Sequence, residues 1–120
     1  MYTPTLLHAD FGPGHIFCDE KGERIRGIID FGDIGIGDPD YDLMYLYGIF
    51  GWAFVLRFIR HYPCSHLDLE VLRQKLRLLL IYNTVNDIWI GVDRNDQSMK
   101  EWALSNLKRQ VQERSGGHFY

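Results

Sequence analysis

The chain has 120 residues, 46% of them apolar and 24% charged, with a formal net charge of −3. That suits one domain with a real core, though a domain this small buries only a modest share of its surface. The acidic balance and the lack of any run of five basic residues argue against a nucleic-acid partner. The longest uncharged stretch, Leu43 to Leu56, is too short for a bilayer and contains Gly48 and Gly51.

Taken in chain order, Thr5-Leu6-Leu7-His8 is a short apolar run, and Phe11-Gly12-Pro13-Gly14 is a breaker cluster that predicts a loop. His15 to Cys18 and Ile25 to Ile29 read as two strands of a β-hairpin around the polar turn Asp19-Glu20-Lys21-Gly22-Glu23. Gly32, Gly35 and Gly37 predict another loop, and they are no phosphate loop because no Gly-Lys-Ser/Thr follows. From Asp38 the pattern is helical. Asp38 reads as an N-cap, with Pro39 at the first helical position and Asp40 answering the helix dipole. A second helix is expected over Gly51 to Tyr62, ended by Pro63. A long one over Asp68 to Val92 carries Leu69, Leu72, Leu76, Leu79 and Leu80 at three- and four-residue spacing. A last helix is expected over Gln97 to Glu113. The aromatics Tyr41, Tyr45, Tyr47, Phe50, Trp52 and Phe54 read mainly as core, with a few of them open to lining a substrate groove. Cys18 and Cys64 form no Cys-x-x-Cys pair, so no structural zinc is expected and a reduced, cytoplasmic setting is. Met1-Tyr2-Thr3-Pro4 does not read as a secretory leader, and His61 and His66 read as surface residues around Pro63.

The chemistry concentrates between His8 and Asp42. A strand doubled back on itself pairs its two ends, so the hairpin brings His15 towards Asp30, with Asp10 at the mouth of the preceding loop. Magnesium takes oxygen ligands, which suits Asp30 well and the softer imidazole of His15 less well. Asp10, not committed to metal, can accept a proton from a hydroxyl. Metal, base and position are most of what this half of a phosphoryl-transfer site requires. Each residue also has a plainer reading. His8 can be a hydrogen-bonded histidine at a strand end, His15 can pack at a strand start, and Asp33 can be an ordinary turn aspartate with a possible site role.

Three stretches in order, His8-Ala9-Asp10, Ile29-Asp30-Phe31-Gly32-Asp33 and Gly37-Asp38-Pro39-Asp40-Tyr41-Asp42-Leu43, resemble the kinase-like aminoglycoside phosphotransferase family. That family's catalytic loop reads His-Gly-Asp, four residues, then Asn. The resemblance implies a general-base or hydroxyl-orienting role for Asp10, a supporting role in the catalytic loop for His8, Mg2+ binding for Asp30, and anchorage of the loop backbone by Asp42. His15 stands where most members have asparagine, and would share the metal. Ala9 in place of glycine reads as a minor departure. The motifs cover about the first 45 residues, and the later helices match only in character.

The fold class expected is α+β: a single domain over residues 1–120, the C-terminal helical lobe of such a kinase, with the short hairpin carrying both motifs. The family's nucleotide lobe, with its glycine-rich loop, strand lysine and helix glutamate, has no counterpart before His8, so the chain reads as a truncated catalytic lobe that binds ATP weakly if at all. The activity implied is ATP-dependent phosphorylation of a hydroxyl on a small molecule such as an aminoglycoside. Rival acceptors are a macrolide, homoserine, choline or a sugar. The rival class is an inactive remnant or interaction module that pairs with the missing lobe or another chain through an exposed apolar surface. An acidic groove from Glu70, Asp87, Asp93 and Asp96 would favour a polycationic acceptor.

Overall fold

The computed structural model describes residues 2–62 and 68–113. Pro63, Cys64, His66 and the Ser115-Gly116-Gly117 tail, all singled out in the sequence, lie outside them. Four short strands precede four helices: β1 (Thr5–Leu7), β2 (Ile16–Cys18), β3 (Ile25–Ile28), β4 (Gly35–Gly37), α1 (Asp40–Phe50), α2 (Trp52–Phe58), α3 (Leu69–Asp93) and α4 (Gln97–Gln112).

The hairpin forms as expected. β2 and β3 run antiparallel with Ile16 opposite Ile28, and a bulge between Phe17 and Cys18 shifts the register. The turn closes through Asp19 N–H to the Arg24 carbonyl at 2.9 Å, with Gly22 at φ 69°, a left-handed value that favours glycine. The loop before it tightens into one 3-10 turn over Pro13–His15, so His15 sits just ahead of β2.

The glycine-rich stretch after Phe31 is not the loop its composition predicts. Gly35–Gly37 pairs antiparallel with β1, Leu6 opposite Ile36. This strand is held by a partner about 30 residues away in sequence and has little local propensity of its own, so no local pattern announces it. Gly37 faces the buried Leu7, whose Cδ1 would lie 3.1 Å from an added Cβ.

α1 begins as the sequence predicts. The Asp38 carboxylate accepts from Asp40 N–H at 3.0 Å, and Pro39 already has helical dihedrals (φ −58°, ψ −23°), although the regular helix starts at Asp40. Gly51, at φ 80°, breaks α1 from α2. α2 stops at Phe58, short of the expected Tyr62. Its end tightens instead of continuing, with His61 N–H reaching back three residues to the Phe58 carbonyl. α3 and α4 are capped by Asp68, which accepts from Glu70 and Val71, and by Asp96, which accepts from Met99.

The core sits where α1, α2 and the first half of α3 meet: Leu43, Met44, Leu46, Tyr47, Val55, Leu72, Leu76 and Leu80. Of the expected aromatic core, Tyr47 is fully buried, while Phe50 reaches the surface. α4 crosses α3 at Gly91, where an added Cβ would lie 2.9 Å from the Lys100 backbone nitrogen. No helix among the described residues is long and apolar enough to cross a membrane.

Candidate active site

The loop after β1 is fixed from α1. Asp42 reaches back with both carboxylate oxygens, one accepting from His8 N–H at 3.0 Å and the other from Ala9 N–H at 2.8 Å. Tyr45, one turn further along the same face, donates its hydroxyl to the Ala9 carbonyl at 3.0 Å. Burial, then the neighbouring Tyr41 hydroxyl, push the Tyr45 phenol well above its usual value. His8 is buried and bridges main-chain groups. Its Nε2 lies 2.7 Å from the Ile29 carbonyl, and its Nδ1 accepts from Asp10 N–H at 3.2 Å. An imidazole carrying its proton on Nε2 satisfies both bonds. With both nitrogens engaged, the His8 ring is a strut between the loop and the strand before Asp30, and is not free to move a proton.

Ala9 is more than the minor departure its sequence suggests. It sits at φ 66°, where an alanine Cβ is strained by about 1 kcal/mol and glycine is not. Asp30 is also left-handed, at φ 65°, which aspartate tolerates better than most residues. Two strained residues thus flank the place where the motifs meet.

That meeting is close. Ligand atoms of Asp10, His15 and Asp30 all lie within 4.8 Å of one another. His15 Nδ1 donates to the Asp10 carbonyl at 2.7 Å and stands 3.8 Å from its carboxylate, while Nε2 is 3.4 Å from the Asp30 carboxylate. The hydrogen bond to the Asp10 carbonyl, outweighing desolvation and helped by the charges of Asp10 and Asp30, raises the His15 pKa above 6.5. A hard divalent ion prefers oxygen ligands, so the donor set suits such an ion through Asp30 better than through the softer imidazole of His15.

Asp10 opens onto a cavity of about 710 Å³ whose walls include Asp33, Tyr41, Tyr45, Asn83, Asn86, Asp87 and Trp102. Burial first, and the charge of Asp10 second, raise the Asp87 pKa. The Tyr41 hydroxyl donates to the Asn83 side chain at 3.2 Å. Of the acidic groove expected after Asp68, only Asp87 lines this cavity. Glu70 lies 17 residues earlier on α3, ~25 Å along the axis, Asp96 caps α4, and Asp93 is exposed at the end of α3. The sequence left open which aromatics line a groove, and Tyr41 and Tyr45 do; it passed over Asn83 and Asn86. The signal was there in the polar stripe Asn83, Asn86, Asp87 at three- and four-residue spacing on the largely apolar second half of α3.

The first turn of α1 is itself clamped. Lys75 Nζ lies 2.6 Å from carboxylate oxygens of both Asp38 and Asp40, the latter buried. Burial opposes the Lys75 ammonium, but hydrogen bonds to the two carboxylates outweigh it and raise the pKa. Asp38 and Asp40 therefore also tie α1 to α3. Outside the site, His61 is exposed, as expected, and Cys18, in strand β2, is exposed as well.

The model of the phosphotransferase enzyme family matches residues 2–76, more than half of the chain. The uncharacterized protein YcbJ of Bacillus subtilis (strain 168) is 33% identical over 58 residues, which are 48% of this chain and 19% of that protein. Among solved structures, the GDP complex of wild-type aminoglycoside 2'-phosphotransferase-IIIa is 31% identical and superposes on 92% of this chain with a TM-score of 0.81. The GDP and kanamycin complex of that enzyme gives 0.82 over the same share. The gentamicin complex of APH(2")-IIa, 31% identical, covers 95% of the chain at 0.71. The chain spans 37% of the length of each of these solved relatives.

Proposed function

Since this chain belongs to the phosphotransferase enzyme family and has the fold of its kinase-like aminoglycoside phosphotransferases, we propose that it carries the hydroxyl-activating and metal-holding side of a site that phosphorylates a small polycationic acceptor, an aminoglycoside, in the cytoplasm. The observation that carries this reading is the convergence of Asp10, His15 and Asp30 at one edge of a cavity that also holds Asp33 and Asp87.

In this scheme the acceptor lies in the cavity with its ammonium groups against Asp33 and Asp87, an arrangement that relieves the charge penalty on Asp87. The acceptor hydroxyl faces the Asp10 carboxylate, which orients it and takes its proton as the oxygen bonds to the terminal phosphorus. The bond from that phosphorus to the bridging oxygen breaks, and the nucleoside diphosphate leaves with the electron pair. Asp30, with His15 beside it, would hold Mg2+, which would supply neutralisation of the phosphate oxygens and leave Asp10 free to take the proton. Asp42, His8 and Tyr45 hold the Asp10 loop in place and touch no reacting atom. The GDP in the relatives' structures supports a nucleoside triphosphate donor, GTP as well as ATP. The groups that cradle the nucleotide are taken to come from polypeptide outside this chain.

A second reading, an interaction module without catalysis, is favoured by one observation: Leu6 and Ile36, paired across β1 and β4, are 66% and 77% exposed, and Ile25 of the hairpin is 65% exposed. One experiment separates the two. The chain is substituted for its equivalent in aminoglycoside 2'-phosphotransferase-IIIa, and phosphoryl transfer from GTP or ATP to kanamycin is followed. Turnover that falls at least 100-fold in Asp10→Ala and in Asp30→Ala, with folding intact, supports the enzyme. A folded, nucleotide-binding chimera without turnover supports the interaction module.

A further inference from the structure

α3 has two apolar faces, and among the described residues only one is covered. Leu72, Leu76, Leu80, Thr84 and Gly91 face inward and are buried. On the opposite side Val71, Leu78, Tyr82, Val85, Trp89 and Val92 are 48% to 67% exposed. With Gln74 they recur every three or four residues over the whole helix. At 100° per residue they fall within a sector of about 80° directly opposite the buried one. Such a stripe, sustained for three heptads, is the seam of a helix pair. Ordinary solvated helices carry charge there.

We infer that this seam is a self-association surface, on which α3 of a second copy of the chain packs antiparallel. Two observations favour a second copy. The first is area. With roughly 150–250 Å² for each of the two aromatics and less for valine and leucine, the six present on the order of 500 Å² per copy. Two copies then bury about 1,000 Å², the least a stable interface needs. The second is self-complementarity. The seam is apolar in both halves of α3, so a two-fold axis across its middle lays Val71 and Leu78 of one copy against Val85 and Val92 of the other. Antiparallel packing also opposes the two helix dipoles, whereas a parallel pair aligns them. The inference is independent of the proposed reaction, because the seam residues are on the far side of α3 from the core.

The full chain is examined by sedimentation equilibrium over a range of micromolar concentrations. The expected result is a mass that rises to twice the monomer's. Leu78→Glu and Trp89→Glu, both at exposed positions, are expected to weaken association at least tenfold with an unchanged far-UV spectrum, while Val111→Glu on α4 leaves it intact. With Cys18 and Cys64 replaced by serine, Tyr82→Cys is expected to form a disulfide-linked dimer and Val71→Cys is not. A monomer at every concentration would overturn the inference and leave the seam to a different polypeptide. So would a dimer indifferent to Leu78 and Trp89, or one that cross-links through Val71→Cys as readily as through Tyr82→Cys.

Discussion

Asp42 offers the sharpest test of how this site is held together. Its two oxygens take the amide hydrogens of His8 and Ala9, residues 34 and 33 positions away in sequence, at 3.0 and 2.8 Å. A hydrogen bond to a charged acceptor is worth about 1.5–3 kcal/mol, and both amides would lose their acceptor in Asp42→Ala. Both bonds are only part-buried and water can re-enter, so the lower end applies, a loss of about 3 kcal/mol. Asp42→Asn keeps one acceptor and turns an amide donor towards the other N–H, so about half that loss is expected. A domain of this size has about 5–15 kcal/mol in all, which leaves both variants folded but visibly weakened. Urea denaturation followed by circular dichroism gives the free energies. Amide exchange at His8 and Ala9 shows whether the opening is local, and those two amides are expected to lose protection first. A change below about 0.5 kcal/mol in Asp42→Ala, typical of a surface site, would refute the argument that α1 anchors the loop.

Three further outcomes follow from other positions. Ala9→Gly relieves the strain at φ 66° and is expected to stabilise the chain by about 0.5–1 kcal/mol in the same assay, against the usual penalty for glycine. Gly91→Ala drives a Cβ to within 2.9 Å of the Lys100 backbone and is expected to lose about 1–3 kcal/mol as α3 and α4 part. Burial and Asp10 raise the Asp87 pKa above 3.8, so the stability this group contributes is present below that value and is lost as pH rises through the folded pKa. Asp87→Asn should therefore melt higher than the unsubstituted chain near neutral pH, with the gap closing on acidification. A gap that widens in acid would reverse the assignment.

The motifs that mark the site were legible because their spacing is short and their residue types are restricted. His8, Asp10, Asp30 and Asp42 fall where the doubled-back strands and the capped helix put them. What escaped depends on contacts distant in sequence. β4 exists because β1 pairs with it, although its own residues are Gly-Ile-Gly. Lys75 meets Asp38 and Asp40 across more than 30 residues, which no local pattern announces. α2 closes early through a tightened turn that no breaker residue dictates. The strain at Ala9 follows from a dihedral that alanine gives no reason to expect. The leucine repeat of α3 located its buried face and drew attention from the second stripe, Val71 to Val92, because branched and aromatic residues in a helix read as core until their exposure is known.

The central claim is that Asp10 and Asp30 face one another across a space that a hard divalent ion can occupy. Titration of the isotopically labelled chain with Mn2+, a paramagnetic stand-in for Mg2+, tests it most directly. Selective broadening of the amide signals of Ala9 to Phe11 and Ile29 to Phe31, abolished together by Asp30→Ala, is the predicted result. Broadening confined to other carboxylates, or unchanged by that substitution, would contradict it.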